Sequence, residues 1–548
     1  MIPVLGWAIV LLGQVDSVAP ASPVVSTAPA NVLVVCHDDL LPGLRDWLRW
    51  RESQGYRLAL VRCWQSKEEI REAIRKEAAG GQLRWVVLVG DAPSSSPASS
   101  TQAFLIPTAY RRAERIARFG PDREIASDNW YADLDDDGVP ELALGRMSVT
   151  SAEELAALVA KTRRREEQRT GRWRSQIQLA AGAGGFGPIA DWVIEWVAQR
   201  ILVDQIPPEY VTHLTYADWR SPYCPDPRQF RSTLLQRWQQ GCNFWVYMGH
   251  GQPDGLQPLV VPGGRYPTLN SADTRQMLAG GVPPIAVMLA CYTGAFDWPE
   301  PCLAEALLRA PGGAACCISA TRTTMPYGMA VLGGGMLHAC FSQSDSTLGE
   351  LVLTAKKRMV DDEPSENDPL YALRQWLDRL ASALVPGATA EALRTERREH
   401  VALFHLLGDP LLQIRAPRKI AVATVATIEA GQRLTVDFEA PWAGRGTVEL
   451  RCRRDMTKQP LTRRSQFRHD ATWLGELQRQ YELAQDQIWL EEQIQVYGGP
   501  QSVSFVVPPE AHGACLVRVV IPGVEDDAVG AAPLYVSRPS QPPETRRP

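Results

Sequence analysis

His250 and Cys291 are the two residues whose types and surroundings could do chemistry together. His250 stands between two glycines at the end of an apolar run, "FWVYMGHG" (244–251). Cys291 closes a second apolar run, "IAVMLAC" (285–291), and is followed by "YTG". A thiol beside an imidazole can give up its proton and attack an acyl carbon. Gly251 has no side chain to cover its backbone N–H. With the N–H of Cys291, that donor could hold the oxyanion of a tetrahedral intermediate. A single histidine at a strand tip is usually structural, and a single cysteine after an apolar strand is usually a small core residue. Their joint placement at the tips of consecutive strands, both close to glycines, points to a Cys–His hydrolase.

For the two tips to meet, their strands must be neighbours in a parallel sheet, where function gathers at the carboxyl ends. The rest of the chain fits that demand. Short apolar runs recur from "NVLVVC" (31–36) through "RWVVLVG" (84–90) and "IQLAAG" (177–182) to "AACCIS" (314–319). Between them lie amphipathic helical patterns. Ile70, Ala73 and Ile74 share one face of 67–79, and Phe230, Leu234 and Trp238 recur every four residues in 229–240. Continuous apolar strands joined by helices predict a mainly parallel sheet with helices on both faces. The spacing predicts two α/β halves, 31–170 and 171–415. From 416 to 538 apolar positions alternate and turn signals recur, which predicts an antiparallel β-sandwich. A helical insertion is expected over 472–497, and 539–548 reads as a disordered tail.

Bulk composition narrows the function classes. Hydrophobic residues make up 45%, charged residues 22%, and the formal net charge is -5, so nothing suggests a nucleic-acid binder. The mixed-sign run "KTRRREEQR" (161–169) reads as a solvated helix face. Residues 1–30 hold an apolar core of about ten residues, too short to span a bilayer, followed by small residues at Ala19 and Ala21. That is the pattern of an export leader, although no Lys or Arg precedes the core. No other stretch is long and apolar enough for a transmembrane helix. The 11 cysteines sit mostly in apolar runs, and no CxxC pair has the partners a structural zinc needs. In an exported protein a Cys224–Cys242 disulfide is one option that spacing alone leaves open.

Several segments resemble the gingipain family of cysteine peptidases, within the caspase-like group. "YMGHG" is similar to the family's histidine motif. "ACYTGAF", then "PCLAEALLRAPGGAACCISATRTT", is similar to its nucleophile motif, the next helix and the next strand. "SDNWYADLDDDGVPELALGRMSVTSAEELAALVAKT" (127–162) resembles its middle region, and "FHLLGDPLLQI" (404–414) the end of its catalytic domain. The resemblance covers 31–415 well and 416–540 only in type. It implies a caspase-like catalytic domain followed by an immunoglobulin-like sandwich. It also implies endopeptidase action on protein or peptide substrates, with His250 as base and Cys291 as nucleophile, and no cofactor in the chemistry. A transpeptidase of sortase type and a catalytically silent binding module on the same fold are the competing readings. One departure stands out: the loop "AGAGGFG" (181–187), where members carry the acid that orients the histidine, has no carboxylate. Asp254 and Asp191 are the substitutes to consider, or a backbone carbonyl.

Asp133, Asp135 and Asp137, followed by Gly138, match the opening of a calcium loop, with carboxylates at alternate positions and glycine for the turn. The closing glutamate of a full EF-hand is missing, since position 144 is Leu. An acidic hairpin tip is the simpler alternative. Calcium-binding members of the family add weight to a structural calcium.

Overall fold

Five-residue runs of Val, Leu, Ile and Ala between polar turns form strands with no solvent-facing side. Every residue is buried in the strands Val32–Cys36, Trp85–Val89 and Ile285–Leu289. The computed structural model describes residues 30–62, 66–94, 104–184, 205–342, 346–362 and 369–538. The expected leader, apart from Ala30, and the expected tail lie outside the described residues.

The first half contributes β1 (Val32–Cys36), β2 (Leu58–Arg62), β3 (Trp85–Val89), a separate hairpin of β4 (Ala109–Arg112) and β5 (Glu124–Ser127), and β6 (Ala143–Met147). The second contributes β7 (Gln176–Ala181), β8 (Val211–Tyr216) and β9 (Phe244–Met248). Two small hairpins follow, β10–β11 (Gly251–Gln252, Gly255–Leu256) and β12–β13 (Leu259–Val261, Gly264–Tyr266). The half ends with β14 (Ile285–Leu289), β15 (Cys316–Ala320) and β16 (Phe404–Leu407). The main sheet has ten strands in the order β2-β1-β3-β6-β16-β15-β14-β9-β7-β8. In the main sheet every neighbouring pair of strands is parallel except β15–β16. The last strand, β16, lies between the halves, antiparallel to β15 and parallel to β6. It joins the two α/β subdomains into one mostly parallel sheet.

The helices start where the sequence places a cap. Ser66 accepts from the Glu69 N–H while Glu69 accepts from the Ser66 N–H, opening helix Lys67–Ala78 with Ile70 and Ile74 buried. Helix Phe230–Gln239 buries Phe230, Leu234 and Trp238 as their spacing predicts. The charged run at 161–169 departs from its reading as a solvated face. In helix Ala152–Glu167, Lys161 and Arg165 are buried. Nζ of Lys161 donates to the carbonyls of Leu308 and Ala310 at 2.5 and 2.8 Å, capping the C-terminus of helix Leu303–Arg309. Burial pulls that ammonium down to about 7. Arg165 donates to the Pro283 carbonyl at 2.7 Å and to Asn243. Long aliphatic stems let both charges reach carbonyl clusters that sequence spacing cannot reveal.

The C-terminal domain contains β17 (Arg418–Lys419), β18 (Val422–Ala423), β19 (Thr427–Glu429), β20 (Arg433–Cys452), β21 (Ile488–Val506), β22 (Gly513–Pro522) and β23 (Asp527–Ser537). β20 and β21 pair along their whole length, with a bulge between Ala440 and Ala443. The bend folds them over a shared core that includes Leu434, Phe438, Leu450 and Val517. The expected helical insertion is shorter than 472–497. The helix spans Ala471–Gln485, capped by Asp470, and "IWLEEQIQVY" beyond it joins the sandwich as β21. The helix packs on the α/β domain rather than the sandwich core. Tyr481 meets Thr215 Oγ1 at 2.9 Å, and Phe467 and Trp473 pack on Trp219, beyond the end of edge strand β8. Among the described residues, no helix is long and apolar enough to cross a membrane.

Candidate active site

β9 and β14 are adjacent and parallel, with Met248 opposite Leu289. His250 and Cys291 each lie two residues past that last pair, at the exits of neighbouring strands, and the Gly249 N–H donates to the Leu289 carbonyl at 3.2 Å. His250 and Cys291 are both half-buried. The two glycines around His250 have separate packing reasons. Gly249 has φ +154, and a side-chain carbon there would lie 2.9 Å from the Cα of Gly182 at the exit of β7. A carbon on Gly251 would lie 2.6 Å from the Cys291 carbonyl oxygen and 2.7 Å from Thr293 Cγ2. The histidine is thus held between two backbone contacts, one to each neighbouring strand end. Tyr247 reinforces this, donating its hydroxyl to the His250 carbonyl at 2.8 Å.

The thiol of Cys291 faces the loop after β15. The backbone N–H of Thr324 donates to Sγ at 3.2 Å, and Thr324 Oγ1 lies 3.4 Å from it. A charged sulfur accepts such a bond more strongly than a neutral one. Tyr292, next in the chain, has φ +59, a conformation uncommon for a bulky side chain and costing about 1–3 kcal/mol. Its turn is pinned from several sides. Ala295 N–H donates to the Tyr292 carbonyl at 2.9 Å, and Gly294 N–H to the Ala320 carbonyl at 2.9 Å. The Tyr292 hydroxyl donates to Oδ2 of Asp122 at 2.7 Å. Burial and that carboxylate push the phenol up to about 12. The same Oδ2 accepts the Thr323 N–H at 3.1 Å and the Thr323 hydroxyl at 2.8 Å. Behind this layer, Arg322 grips Asp297 with two bonds of 2.8 and 2.5 Å.

None of Asp122, Thr323 or Thr324 stood out in the sequence. Thr323 and Thr324 lie at the end of "PCLAEALLRAPGGAACCISATRTT", whose resemblance to the family's nucleophile region and next strand was the signal there, while Asp122 lies in "GPDRE", outside every segment singled out. Of the acids considered as histidine partners, Asp254 is exposed at the β10–β11 turn, where its carbonyl accepts the Ser271 N–H at 2.8 Å. Asp191 lies outside the described residues.

The acidic loop gathers a different triplet from the one its spacing suggested. Oxygens of Asp133, Asp135 and Glu141 all lie within 4.8 Å of one another. Asp133 is buried. Its Oδ2 accepts the Gly138 N–H at 3.1 Å, and its Oδ1 is buried without a hydrogen-bond partner. Asp137 turns Oδ1 to the Val139 N–H at 2.7 Å. Burial raises the Asp133 carboxyl. It raises that of Glu141 too, where the charges of Asp135 and Asp133 add to the effect.

The model of peptidase family C25 matches residues 26–415. Gingipain R2 of Porphyromonas gingivalis is 22% identical over 315 residues, which are 55% of this chain and 38% of that protein. Lys-gingipain of the same species is 22% identical over 294 residues, 51% of this chain and 15% of that protein. The matched region is therefore well under half the length of these relatives. The solved complex of the pro- and mature domains of Porphyromonas gingivalis RgpB is similar in structure, with a TM-score of 0.51 at 16% identity, covering 92% of this chain and 100% of that one. The Arg-specific cysteine proteinase gingipain R has a TM-score of 0.50 at 16% identity, covering 94% and 99%. At this identity the likeness is one of fold: a mixed α/β domain with a large, mostly parallel sheet, then a β-rich domain.

Proposed function

The chain belongs to peptidase family C25, a family of cysteine peptidases, and from that premise we propose that it is an endopeptidase with Cys291 as nucleophile and His250 as general base. The observation that supports the reading is that β9 and β14 are adjacent and parallel, and that a side-chain carbon on Gly251, next to His250, would lie 2.6 Å from the Cys291 carbonyl oxygen. His250 takes the thiol proton, and the sulfur attacks the scissile carbonyl carbon. The backbone N–H groups of Gly251 and Cys291 receive the oxyanion. The protonated imidazole then gives its proton to the leaving amine, and water hydrolyses the thioester with His250 again as base. No cofactor takes part. Protein or peptide chains are the substrates, and the leader-like N-terminus supports export.

Brief, substoichiometric iodoacetamide treatment followed by mass mapping tests the nucleophile. Cys291 should be labelled ahead of the other ten cysteines. Burial raises Cys242, Cys317 and Cys340 to about 12 and Cys452 to about 11, which leaves them little thiolate. Preferential labelling elsewhere, together with full cleavage by Cys291→Ala, would leave the binding-module reading in its place.

A structural calcium belongs to the same reading. Asp133, Asp135 and Glu141 would hold it, and the orphaned, buried Oδ1 of Asp133 supports a cation there. Calcium prefers such hard oxygen ligands, at about 2.3–2.6 Å. Saturating calcium should raise Tm by several degrees, since a ligand at 100 times its Kd stabilises by about 2.7 kcal/mol. Asp133→Asn should abolish the rise. An unchanged melting curve with no binding heat in calorimetry would remove calcium from the account.

A further inference from the structure

Cys452 closes β20, and Cys515 stands directly opposite it in the antiparallel strand β22. The ladder around them has a definite phase. Arg453 N–H donates to the Ala514 carbonyl at 2.9 Å, while Cys452 N–H points away, to the Gln487 carbonyl at 2.8 Å. Cys452 and Cys515 are therefore a non-hydrogen-bonded pair, the type in which Cα atoms stand about 4.5 Å apart and side chains on one face lean together. A disulfide accommodates Cα separations of about 4.4–6.8 Å. Both side chains are buried, at 3% and 1% exposure, and both lie against the indole of Trp489. Among the described residues, the other strand cysteines face unlike partners. Cys36 is opposite Arg62 and Val89, Cys316 opposite Ile285, and Cys317 opposite Ala286 and Leu407. Cys224, one of the pair left open by sequence, donates its thiol to the Pro225 carbonyl at 3.4 Å. It, Cys242, Cys452 and Cys515 are all buried free thiols in this structure, so the cross-strand register is what sets Cys452 and Cys515 apart.

We propose that Cys452 and Cys515 form a cross-strand disulfide that staples β20 to β22 in the sandwich domain. The co-reactant is an external disulfide, such as glutathione disulfide or the active-site disulfide of a thiol oxidoreductase. One cysteine thiolate attacks a sulfur of that disulfide and expels a thiol, leaving a mixed disulfide. The second cysteine attacks the protein-side sulfur and expels the other thiol. The pair loses two electrons and two protons, and the external disulfide is reduced to two thiols. Once the sandwich has closed, both sulfurs are shielded from any oxidant, so the bond forms during folding, while the strand ends are still exposed.

The test uses the full chain, reduced and unfolded, then refolded in a buffer of glutathione and glutathione disulfide. Free thiols are trapped with iodoacetamide in denaturant, and the unreduced digest is read by mass spectrometry. The expected result is a linked Cys452–Cys515 peptide as the dominant disulfide, and a Tm several degrees above that of the same protein refolded in dithiothreitol. Alkylation of both cysteines after oxidative refolding, or their predominant linkage to other cysteines, overturns the bond. A linked pair with unchanged melting overturns the staple. Because linkage is read on the unmodified chain, the result does not depend on whether Cys452→Ser folds, nor on whether the protein cleaves peptides.

Discussion

Cys291→Ala lowers kcat/KM on a peptide substrate by about 10⁴-fold or more, as removal of a nucleophile does in other covalent peptidases, and leaves the far-UV circular dichroism spectrum and Tm close to those of the parent. The mutation removes one half-buried sulfur whose bonds are to Thr324, so little packing is lost. His250→Ala loses nearly as much, because without the base the thiol is the wrong species for attack. The double variant is then little worse than either single one, since residues that act as one unit give non-additive losses. Losses that multiply in the double variant would mean that His250 and Cys291 act separately, and the shared proton transfer would have to be given up. Asp254→Ala costs far less, as its carboxylate is exposed at a hairpin turn.

Much of this was legible because strands and helices announce themselves by period. "IAVMLA" has the length of a strand buried on both faces, and the four-residue spacing of Phe230, Leu234 and Trp238 fits one side of a helix. That β9 and β14 are parallel neighbours was foreseeable too, since consecutive apolar strands joined by crossovers usually pair in one sheet. What could not be read were contacts made by irregular backbone or by long side chains. The glycines around His250 looked like turn residues, yet each is demanded by a neighbouring strand end, Gly182 on one side and Cys291 on the other. The acidic loop put carboxylates at 133, 135 and 137, but the Asx-type turn from Asp137 to Val139 redirected one of them, and Glu141 came in from beyond the turn. Periodicity carries no information about such turns, because their geometry is set by side chain to backbone bonds. The charges of Lys161 and Arg165 read as solvated for a related reason: their partners are carbonyls from distant parts of the chain.

Asp122→Ala should lower kcat by about 10²-fold with a much smaller change in KM, although the hydrogen bonds of Asp122 run to Tyr292 and Thr323 and not to the Cys291 sulfur. One oxygen of this carboxylate accepts three donors: the Tyr292 hydroxyl, the Thr323 N–H and the Thr323 hydroxyl. It therefore clamps together the turn that follows Cys291 and the loop whose next N–H, that of Thr324, donates to the Cys291 sulfur. Tyr292 is held at φ +59, which persists only while its surroundings over-determine it. With the clamp gone, that turn relaxes, and a displacement of about 1 Å at a reacting atom is enough for a loss of this size. Asp122 is a positioning residue on this account. Asp122→Asn keeps an oxygen where the three donors meet and loses only the charge, so it should recover most of the activity. Tyr292→Phe removes one of the three donors and should fall between the two. Steady-state kinetics with a peptide substrate, paired with thermal melting, separates positioning from collapse. A loss in Asp122→Ala that tracks Tm, or that appears in KM alone, or that Asp122→Asn shares in full, would assign Asp122 to holding the domain together rather than to aiming Cys291.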